Sequence, residues 1–492
     1  MLMLDPATGT ALVNPLLRTD SYKISHPDQY PPGTTELMTY VESRGGPHPG
    51  TIFFGLQIFA EQLAATRISH AMIAEARAFF RAHFGGADFF RADDWAYVVD
   101  RYEGRIPVEI RAVREGTFVP LGQVLATVRS TDPRLFWMTS FLETSLLRAI
   151  WYPTTVATRS NYCKALIHKS WVETSDAPET LVNSRLHDFG ARGVSSGESA
   201  GIGGCAHLAN FTGSDTLEAA AYAQAFYDEP VASFSIPAAE HSTITAFGRE
   251  HELDAYANML THFAKPGAVL SIVSDSYDVV NAVDHLFGET LRDRIVTSGA
   301  LVVIRPDSGD PTEVVPALME IAARRFGTRV NAKGYRVLEN VAFIQGDGMN
   351  EGTLNLLLNF KLKRAGFALD NIAFGMGGAL LQQLDRDTYQ FANKLCLAVV
   401  DGVSRHVAKK PKTDDGKRSK SGDLDLILEA GAYRTIDRLD AAYADTVRYP
   451  SLLEPVYRNG HVLRRQQLAE IRRAIDDAIR TGTNAAAAGL RP

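Results

Sequence analysis

Short apolar runs alternate with stretches of helical apolar spacing from about residue 180 to residue 380. Each run ends in a polar or glycine-rich cluster, which is typical of strands joined by helices in a parallel sheet. The predicted strands are Leu181–Leu186, Val231–Ile236, Val269–Val273, Leu301–Ile304, Val341–Ile344 and Ile372–Phe374. The predicted helices are Thr216–Tyr227, His251–Phe263, Thr312–Phe326 and Thr353–Lys363. In such folds ligands bind at the carboxyl ends of the strands, so the loops there are the first place to look for chemistry.

The alternation favours an α/β fold with an irregular (β/α) barrel, and an open doubly wound sheet is the alternative. We predict that residues 151–385 form this barrel-like domain. The flanking segments mix short strands and helices, so residues 1–150 and 386–492 are expected to build a second, α+β domain. The last segment contains a basic loop and ends in an alanine-rich tail that is expected to fray.

Composition narrows the class of protein. The chain has 492 residues, 45% of them hydrophobic and 22% charged, and no apolar stretch approaches the length of a membrane span. The N-terminus lacks the pattern of a secretory signal, so we expect a cytoplasmic protein with no membrane partner. A net charge of -6 argues against nucleic-acid binding, although Arg405–Lys420 is basic. The three cysteines form no CxxC pair, which indicates neither a disulfide framework nor a zinc site.

Three loop clusters in the first half of the barrel region carry candidate functional groups. His187–Gly193 places Phe189 three residues before Arg192, so an aromatic ring could stack on a flat ligand while the guanidinium binds phosphate. A turn with a surface arginine is the structural alternative. The second cluster contains Asp215, whose position just before a predicted helix is typical of a residue that caps the helix. His241 follows Glu240 after a predicted strand. A single histidine is usually structural, but one at the end of a strand with an acidic neighbour is a candidate for acid–base or nucleophilic chemistry.

Three clusters later in the chain contain further candidate functional groups. Arg305–Asp310 sets a cation and carboxylates on one turn, which suits phosphate and either ribose hydroxyls or Mg²⁺. Gly346–Gly348 surrounds Asp347, and Gly375–Gly378 opens a predicted helix whose amides could bind phosphate. The chain has no Walker A motif and no Rossmann fingerprint after its first strand. These groups therefore suit a ribosyl phosphate together with a heteroaromatic base.

In this order, the clusters resemble the nicotinamide phosphoribosyltransferase family, a type II phosphoribosyltransferase family. The resemblance extends from Asn14 to about Gly422. It also includes NPLLRTDSYKISHPDQYPP (Asn14–Pro32), FFGLQ (Phe53–Gln57), YPTTVAT (Tyr152–Thr158), NKLCLAVV (Asn393–Val400) and KRSKSG (Lys417–Gly422).

The resemblance implies an enzyme that joins nicotinamide to phosphoribosyl pyrophosphate (PRPP), forming nicotinamide mononucleotide and pyrophosphate in NAD salvage. It implies a homodimer with active sites shared between subunits, a requirement for Mg²⁺, and stimulation by ATP through phosphorylation of His241. Glu240 would orient the His241 imidazole, and Arg305 and Asp307 would act at the reacting sugar phosphate.

The same resemblance assigns binding roles residue by residue. For the nicotinamide ring these are Phe189, Asp215, Ser271 and Arg192, with Asp20 and with Tyr22 of the partner subunit. For the phosphoribosyl group they are Arg192, Arg305, Asp307, Gly346, Asp347, Gly377 and Gly378. For pyrophosphate and the phosphates of ATP they are Arg44, Arg386, Lys394, Lys409, Lys417 and His241. Asp275 and Asp307 are the expected Mg²⁺ ligands.

The chain departs from one known member of the family at Ala191, where that member has a tyrosine, and at Gly45 and Gly46, where it has lysines. The first departure alters the shape of the base pocket and the second weakens the positive field around pyrophosphate. The closest rival function is a nicotinate phosphoribosyltransferase, and a non-catalytic binding protein on the same fold is a more remote one. Asp215 separates the first two, because a carboxylate accepts a hydrogen bond from an amide but repels a nicotinate carboxylate.

Overall fold

The computed structural model describes residues 13–409, 418–446 and 448–482. Its strands are β1 (Thr34–Glu42), β2 (Gly50–Ile52), β3 (Val108–Ala112), β4 (Phe118–Pro120), β5 (Val124–Ser130), β6 (Leu186–Asp188), β7 (Gly213–Ser214), β8 (Val269–Val273), β9 (Leu301–Arg305), β10 (Thr328–Val330), β11 (Arg336–Leu338), β12 (Val341–Gln345), β13 (Ile372–Met376), β14 (Ala392–Val400), β15 (Val403–His406), β16 (Leu424–Glu429), β17 (Ala432–Asp437), β18 (Glu454–Arg458) and β19 (His461–Val462).

The α-helices are α1 (Leu56–Ala65), α2 (His70–His83), α3 (Ala92–Tyr102), α4 (Met138–Thr174), α5 (Gly197–Leu208), α6 (Leu217–Tyr227), α7 (His241–Thr245), α8 (Glu252–Phe263), α9 (Val279–Asn281), α10 (Arg292–Ser298), α11 (Pro311–Phe326), α12 (Glu351–Leu356), α13 (Gly378–Leu381) and α14 (Leu468–Thr481). Residues Ala282–Thr290 and Leu357–Leu362 form π-helical turns. Short 3-10 helices include Ser21–Asp28, Glu179–Ser184 and Ala191–Gly193.

The chain divides into two compact units. Of the described residues, the first comprises 13–158, Ala225–Glu229, 384–409, 418–446 and 448–478, and the second comprises Arg159–Gln224, Pro230–Gln383 and 479–482. The predicted domain boundaries, before residue 151 and after residue 385, stay a prediction.

The first unit is built on a seven-stranded sheet in the order β15-β14-β1-β5-β3-β18-β19. Neighbouring strands in this sheet are antiparallel. Its core includes the buried aromatic side chains of Tyr40, Phe53, Trp95 and Trp137. The α+β character predicted for the flanking segments follows from this mixture of antiparallel strands and helices.

The second unit contains a parallel sheet in the order β7-β6-β13-β12-β9-β8. A short segment links its two edges, because Phe234 forms a parallel bridge with Gly213 of β7 and Ala238 forms another with Ser271 of β8. The sheet therefore closes into an irregular barrel, and the predicted fold class is confirmed. The loops after its strands converge at one end, as in other parallel barrels.

Four predicted strands and all four predicted helices occur close to their expected positions. The prediction for Leu181–Leu186 was wrong, because most of that run is the 3-10 helix Glu179–Ser184 and the strand begins only at Leu186. The prediction for Val231–Ile236 was also wrong, since this segment forms only a single bridge at Phe234. Prolines at positions 230 and 237 flank it and cannot donate hydrogen bonds to a ladder, which limits the length of any strand there.

No helix in the described ranges is both long enough and apolar enough to cross a membrane.

Candidate active site

Phe189 lies at the carboxyl end of β6, with its ring against the ends of two neighbouring strands. A Cβ atom on Gly375 would lie 2.0 Å from the Phe189 ring, and one on Gly346 would lie 3.4 Å from it. The ring also packs against the apolar cluster of Val303, Ala342 and Ile344. Glycine at position 375 therefore makes room for the aromatic ring at the end of the barrel.

Asp215 lies beside the strand that carries Phe189. Its N–H donates to the carbonyl of Asp188 at 3.0 Å, which continues the pairing of β6 with β7. Its carboxylate accepts a hydrogen bond of 2.7 Å from the Ser235 hydroxyl. Asp215 precedes α6 by two residues, so this observed contact is not that of a helix cap.

Asp188 is a second carboxylate at this point, and it is fully buried. Its Oδ1 atom accepts a hydrogen bond of 2.7 Å from the Gly190 amide, which fixes the turn after Phe189. Burial raises the pKa of Asp188 to about 6, although hydrogen bonds from Gly190 and Thr216 oppose the shift. Its role in the turn was not foreseen from the sequence.

Arg305 ends β9 and Asp307 follows it, and the two side chains lie close together, with Nη2 of the arginine 3.8 Å from Oδ2 of the aspartate. The Nε atom of Arg305 is buried and has no hydrogen-bond partner in the described part of the chain. A buried donor without an acceptor is costly, so an anionic ligand here would satisfy it. Asp310 has a structural role instead, because its carboxylate caps α11 at the Thr312 amide.

Gln345 braces the loops that carry Asp307 and Asp347. This fully buried residue ends β12, and its side-chain amide donates to the carbonyl of Asp347 at 2.9 Å and to that of Asp307 at 3.5 Å. Asp347 is exposed. Sequence reasoning missed Gln345, because a glutamine at the end of an apolar strand gives no signal of which loops it will join.

His241 is the first residue of α7, and its imidazole contacts Asp275 rather than Glu240. Its Nε2 atom lies 2.9 Å from Oδ1 of Asp275, whereas Glu240 accepts a hydrogen bond from Ser242. The predicted contact between Glu240 and the imidazole was therefore wrong. The reason is geometric, since adjacent residues at a helix start point in different directions and the next strand supplies the nearer carboxylate.

Asp275 is held as an anion. Burial alone would raise its pKa, but hydrogen bonds from Ser308 and His241 outweigh burial and lower the pKa below its usual value. The His241 imidazole is about half exposed, with 46% of its side-chain surface accessible, whereas only 5% of Asp275 is accessible. The pair thus presents a reactive ring to solvent and keeps its carboxylate partner inside.

The glycine-rich turn after β13 lies against the loop that carries Arg192. A Cβ on Gly377 would lie 3.3 Å from the carbonyl oxygen of Phe189, and one on Gly193 would lie 4.0 Å from the Cα of Gly378. The predicted helix is the four-residue α13. Arg159, which sequence reasoning missed, holds this turn by donating to the carbonyls of Ala379 at 2.7 Å and Gln383 at 2.8 Å.

Ser271 is buried in β8, where its backbone bonds Pro237 and Ala239 at 2.9 Å each. It therefore fixes the segment that leads to His241.

Asp275 and Asp307, the expected Mg²⁺ ligands, occupy matching positions on adjacent strands. Each lies two residues beyond a residue of the paired positions Val273 and Arg305. No group of three or more His, Cys, Asp or Glu side chains within the described residues is arranged to hold a metal ion. Mg²⁺ often takes one or two carboxylates and completes its shell with water and substrate phosphates, so this oxygen donor set fits it.

The first unit contains the other predicted site residues. Tyr22 is 59% exposed, and its ring packs edge-on against His26. Asp20 is also exposed and accepts a hydrogen bond of 2.7 Å from Thr144. An exposed tyrosine of this kind is available to a ligand or to another chain.

Lys394 in the same unit is close enough to three other predicted phosphate-binding cations for their charges to act on it, and we call the four residues the cation cluster: Arg44, Arg386, Lys394 and Lys409. Burial lowers the pKa of Lys394, and the positive charges of the other three lower it further, although Glu143 opposes them. Such a concentration of positive charge favours a polyanionic ligand. Lys417 lies outside the described residues.

Comparisons with known proteins agree with this geometry. Residues 184–460 match the model of the nicotinate phosphoribosyltransferase (NAPRTase) family, and residues 14–110 match that of the nicotinamide phosphoribosyltransferase N-terminal domain. A protein of Xanthomonas campestris pv. campestris named nicotinamide phosphoribosyltransferase is 50% identical over 95% of this chain and 99% of its own length. The chain belongs to the nicotinamide phosphoribosyltransferase family. A second relative of that name, from Acinetobacter baylyi, is 30% identical over 94% of this chain and 97% of its own.

Solved structures with the same fold are more distant in sequence. A nicotinate-nucleotide pyrophosphorylase from Pyrococcus furiosus has a TM-score of 0.59 at 15% identity and covers 95% of both chains. Human nicotinic acid phosphoribosyltransferase has a TM-score of 0.56 at 16% identity and covers 94% of this chain and 93% of its own. At these identities the likeness concerns the fold, which is that of the type II phosphoribosyltransferases.

Proposed function

We propose that this enzyme joins nicotinamide to PRPP, yielding nicotinamide mononucleotide and pyrophosphate for NAD salvage. The observation that carries the choice of base is the carboxylate of Asp215 next to the strand end that bears Phe189. The ring of Phe189 offers a stacking surface, and the carboxylate can accept a hydrogen bond from a carboxamide. A nicotinate carboxylate would meet like charge there, a penalty on the order of several kcal/mol in a partly desolvated pocket.

In the proposed reaction the lone pair of the pyridine nitrogen attacks C1 of the ribose as the bond to the pyrophosphate oxygen breaks. The electron pair of that bond leaves with pyrophosphate, and no general base is needed, because the nucleophile carries no proton. Positive charge develops on the sugar, so positioning and electrostatic stabilisation are the main catalytic tasks. Arg305, Arg192 and the Gly377–Gly378 turn would hold the 5′-phosphate, while Asp307 and Asp347 would bind the ribose hydroxyls.

Mg²⁺ and ATP complete the proposal. Mg²⁺ would be held by Asp275 and Asp307 and would neutralise pyrophosphate charge. ATP would phosphorylate His241, and turnover of the phosphohistidine would favour substrate binding and product formation. The solvent-accessible imidazole and its buried carboxylate partner support this role for His241.

The proposed assembly is a cytoplasmic homodimer with shared active sites. Tyr22 of the partner subunit would cover the base, and the cation cluster would bind pyrophosphate. The exposure of Tyr22 and the crowding of positive charge around Lys394 support this arrangement.

The deciding experiment supplies the purified enzyme with PRPP, Mg²⁺ and either nicotinamide or nicotinate and identifies the mononucleotide formed. We expect nicotinamide to be preferred and Asp215→Asn to reduce or reverse that preference, because the substitution removes the charge and keeps the volume. Preferential use of nicotinate by the wild type would favour the rival function. An unchanged ratio of kcat/KM values in the variant would remove Asp215 from base selection.

A further inference from the structure

Glu42 ends β1 beneath the cation cluster, and its side chain is only 2% exposed. Its Oε1 atom accepts hydrogen bonds from Nε of Arg44 at 2.7 Å and from the Tyr40 hydroxyl at 3.2 Å. Its Oε2 atom forms an ion pair with Nζ of Lys420. Both oxygens are therefore occupied by donors, and one of these donors belongs to a predicted pyrophosphate-binding residue.

The sheet register puts Glu42 on the same face as another member of the cluster. Tyr40 of β1 lies directly opposite Lys394 of β14. Directly paired residues share a face of the sheet, and Glu42 follows Tyr40 by two positions. The buried carboxylate thus lies on the face of the sheet that presents Lys394.

The backbone after Glu42 is also held in place. The Arg44 amide donates to the carbonyl of Tyr389 at 3.0 Å, so the Arg44 loop packs against the loop that carries Arg386. A Cβ on Gly46 would lie 2.4 Å from the Tyr389 ring, and one on Gly45 would lie 2.9 Å from the Gln390 side chain. Glycine at these two positions permits the close approach of the two arginine-bearing loops.

The carboxylate of Glu42 has two opposing effects on the binding of pyrophosphate. A carboxylate next to a site for pyrophosphate opposes anion binding through Coulomb repulsion. Against that, it fixes the Arg44 guanidinium, whose Nη2 atom is buried with no hydrogen-bond partner among the described residues. A guanidinium held in one orientation loses less side-chain entropy when it binds a phosphate.

We propose that Glu42 is a positioning residue that orients Arg44 for the pyrophosphate of the donor. This inference rests on the proposed function, because it takes Arg44 to be a pyrophosphate ligand. The affinity for pyrophosphate distinguishes this positioning role from an effect of the Glu42 charge alone. If Glu42 acted only through its charge, its neutralisation would tighten pyrophosphate binding, whereas loss of a positioning group weakens it.

The test compares Glu42→Gln with the wild type by calorimetric titration with inorganic pyrophosphate and Mg²⁺, and by steady-state kinetics. We expect the Kd for pyrophosphate and the KM for PRPP to rise about tenfold, since the charge-assisted hydrogen bond that fixes Arg44 is replaced by a weaker one to a neutral amide oxygen. The KM for nicotinamide at saturating PRPP should change less than about twofold, and Glu42→Asp should recover part of the loss. Glu36→Gln is the matched control, because Glu36 lies on the same strand and pairs with Arg129 at 2.8 Å.

An unchanged or lower Kd for pyrophosphate in Glu42→Gln overturns the proposal. Glu42→Gln leaves the charge of Lys420 without its partner, which could prevent folding. In that case the double variant Glu42→Gln/Lys420→Met, which removes the unpaired charge, replaces the single variant in both measurements. Failure of the wild type to form any mononucleotide would count against the proposed function. The comparison of pyrophosphate affinities would still decide the role of Glu42.

Discussion

The hydrogen-bond partners of individual carboxylates in this protein cannot be inferred from the residues next to them in the sequence. The carboxylate of Asp275, just after β8, contacts the His241 imidazole. Glu240, the sequence neighbour of His241, accepts a hydrogen bond from Ser242 instead. A carboxylate that accepts from Nε2–H leaves Nδ1 with its lone pair, so in the proposed reaction with ATP Asp275 would set which nitrogen acts as the nucleophile. This is the logic by which a buried acid prepares a histidine for phosphoryl transfer.

We therefore predict that Asp275→Asn reduces the stimulation of the transferase by ATP at least about tenfold, because the wrong tautomer is favoured. Phosphohistidine formed from labelled ATP, measured beside transferase activity without ATP, reports the effect directly. Asp254→Asn is a suitable control, since Asp254 pairs with His251 at 2.8 Å in an exposed position. Full stimulation in Asp275→Asn would separate this carboxylate from the ATP reaction.

At the scale of elements, four of the six predicted barrel strands form close to where they were expected. Runs such as Val269–Val273 and Leu301–Ile304 are apolar and β-branched because both faces of a parallel sheet are buried, and they form β8 and β9 almost as predicted. The segment at 231–236 looks similar in sequence, yet Val231 and Phe234 are 56% and 63% exposed. Apolar composition alone cannot show whether neighbouring strands will cover a run.

The candidate site was predictable to the extent that its residues lie at strand ends. Phe189, Arg305, Asp307 and Asp347 follow predicted strands, and the structure brings their loops together. Asp215 precedes a predicted helix, and its place beside β6 came only with the structure. Their binding roles stay predictions. Arg159 could not be foreseen, because it acts only through contacts with a segment far away in sequence. Gln345 and Glu42 each join a residue two positions away to a distant segment, and the distant half of each contact has no signal in the sequence.

The glycine at the end of β13 gives a prediction at this scale. Gly375→Ala should raise the KM for nicotinamide more than about tenfold, because the added methyl group would lie 2.0 Å from the Phe189 ring and displace it. Steady-state kinetics with each substrate varied in turn would measure the effect. Gly352→Ala, within α12, provides the control, since its added methyl group would meet only the Asn350 side chain at 3.3 Å. Equal nicotinamide KM values in wild type and Gly375→Ala would show that the ring does not hold the base.

At the scale of the whole molecule, the proposed dimer predicts complementation between damaged subunits. Tyr22→Ala and Arg305→Ala should each be nearly inactive as homodimers. After subunit exchange, each mixed dimer has one site with both native residues and one with both lesions. Activity should then recover to about a quarter of wild type at equal mixing, since half the dimers are mixed and each has half its sites intact.

Mass measurement of the mixed species provides the control for exchange. Confirmed exchange without recovery of activity would mean that Tyr22 and Arg305 serve the same subunit's site, or that the dimer is built differently.

The closure of the barrel at Phe234 and Ala238 has a consequence for its motions. Elsewhere the strands are joined by ladders, such as the five paired positions of β8 and β9, but this seam is joined by isolated bridges. Local opening of a fold begins where few hydrogen bonds must break together, so the barrel should part here at a lower free energy than at its longer ladders. Ser235, which bonds Asp215, lies on this segment, and His241 follows it in the chain. A transient opening would thus loosen the proposed base pocket and the proposed phosphorylation loop together. A ligand bound at either place would shift the same equilibrium between the open and closed seam, so binding at one place would affect the other.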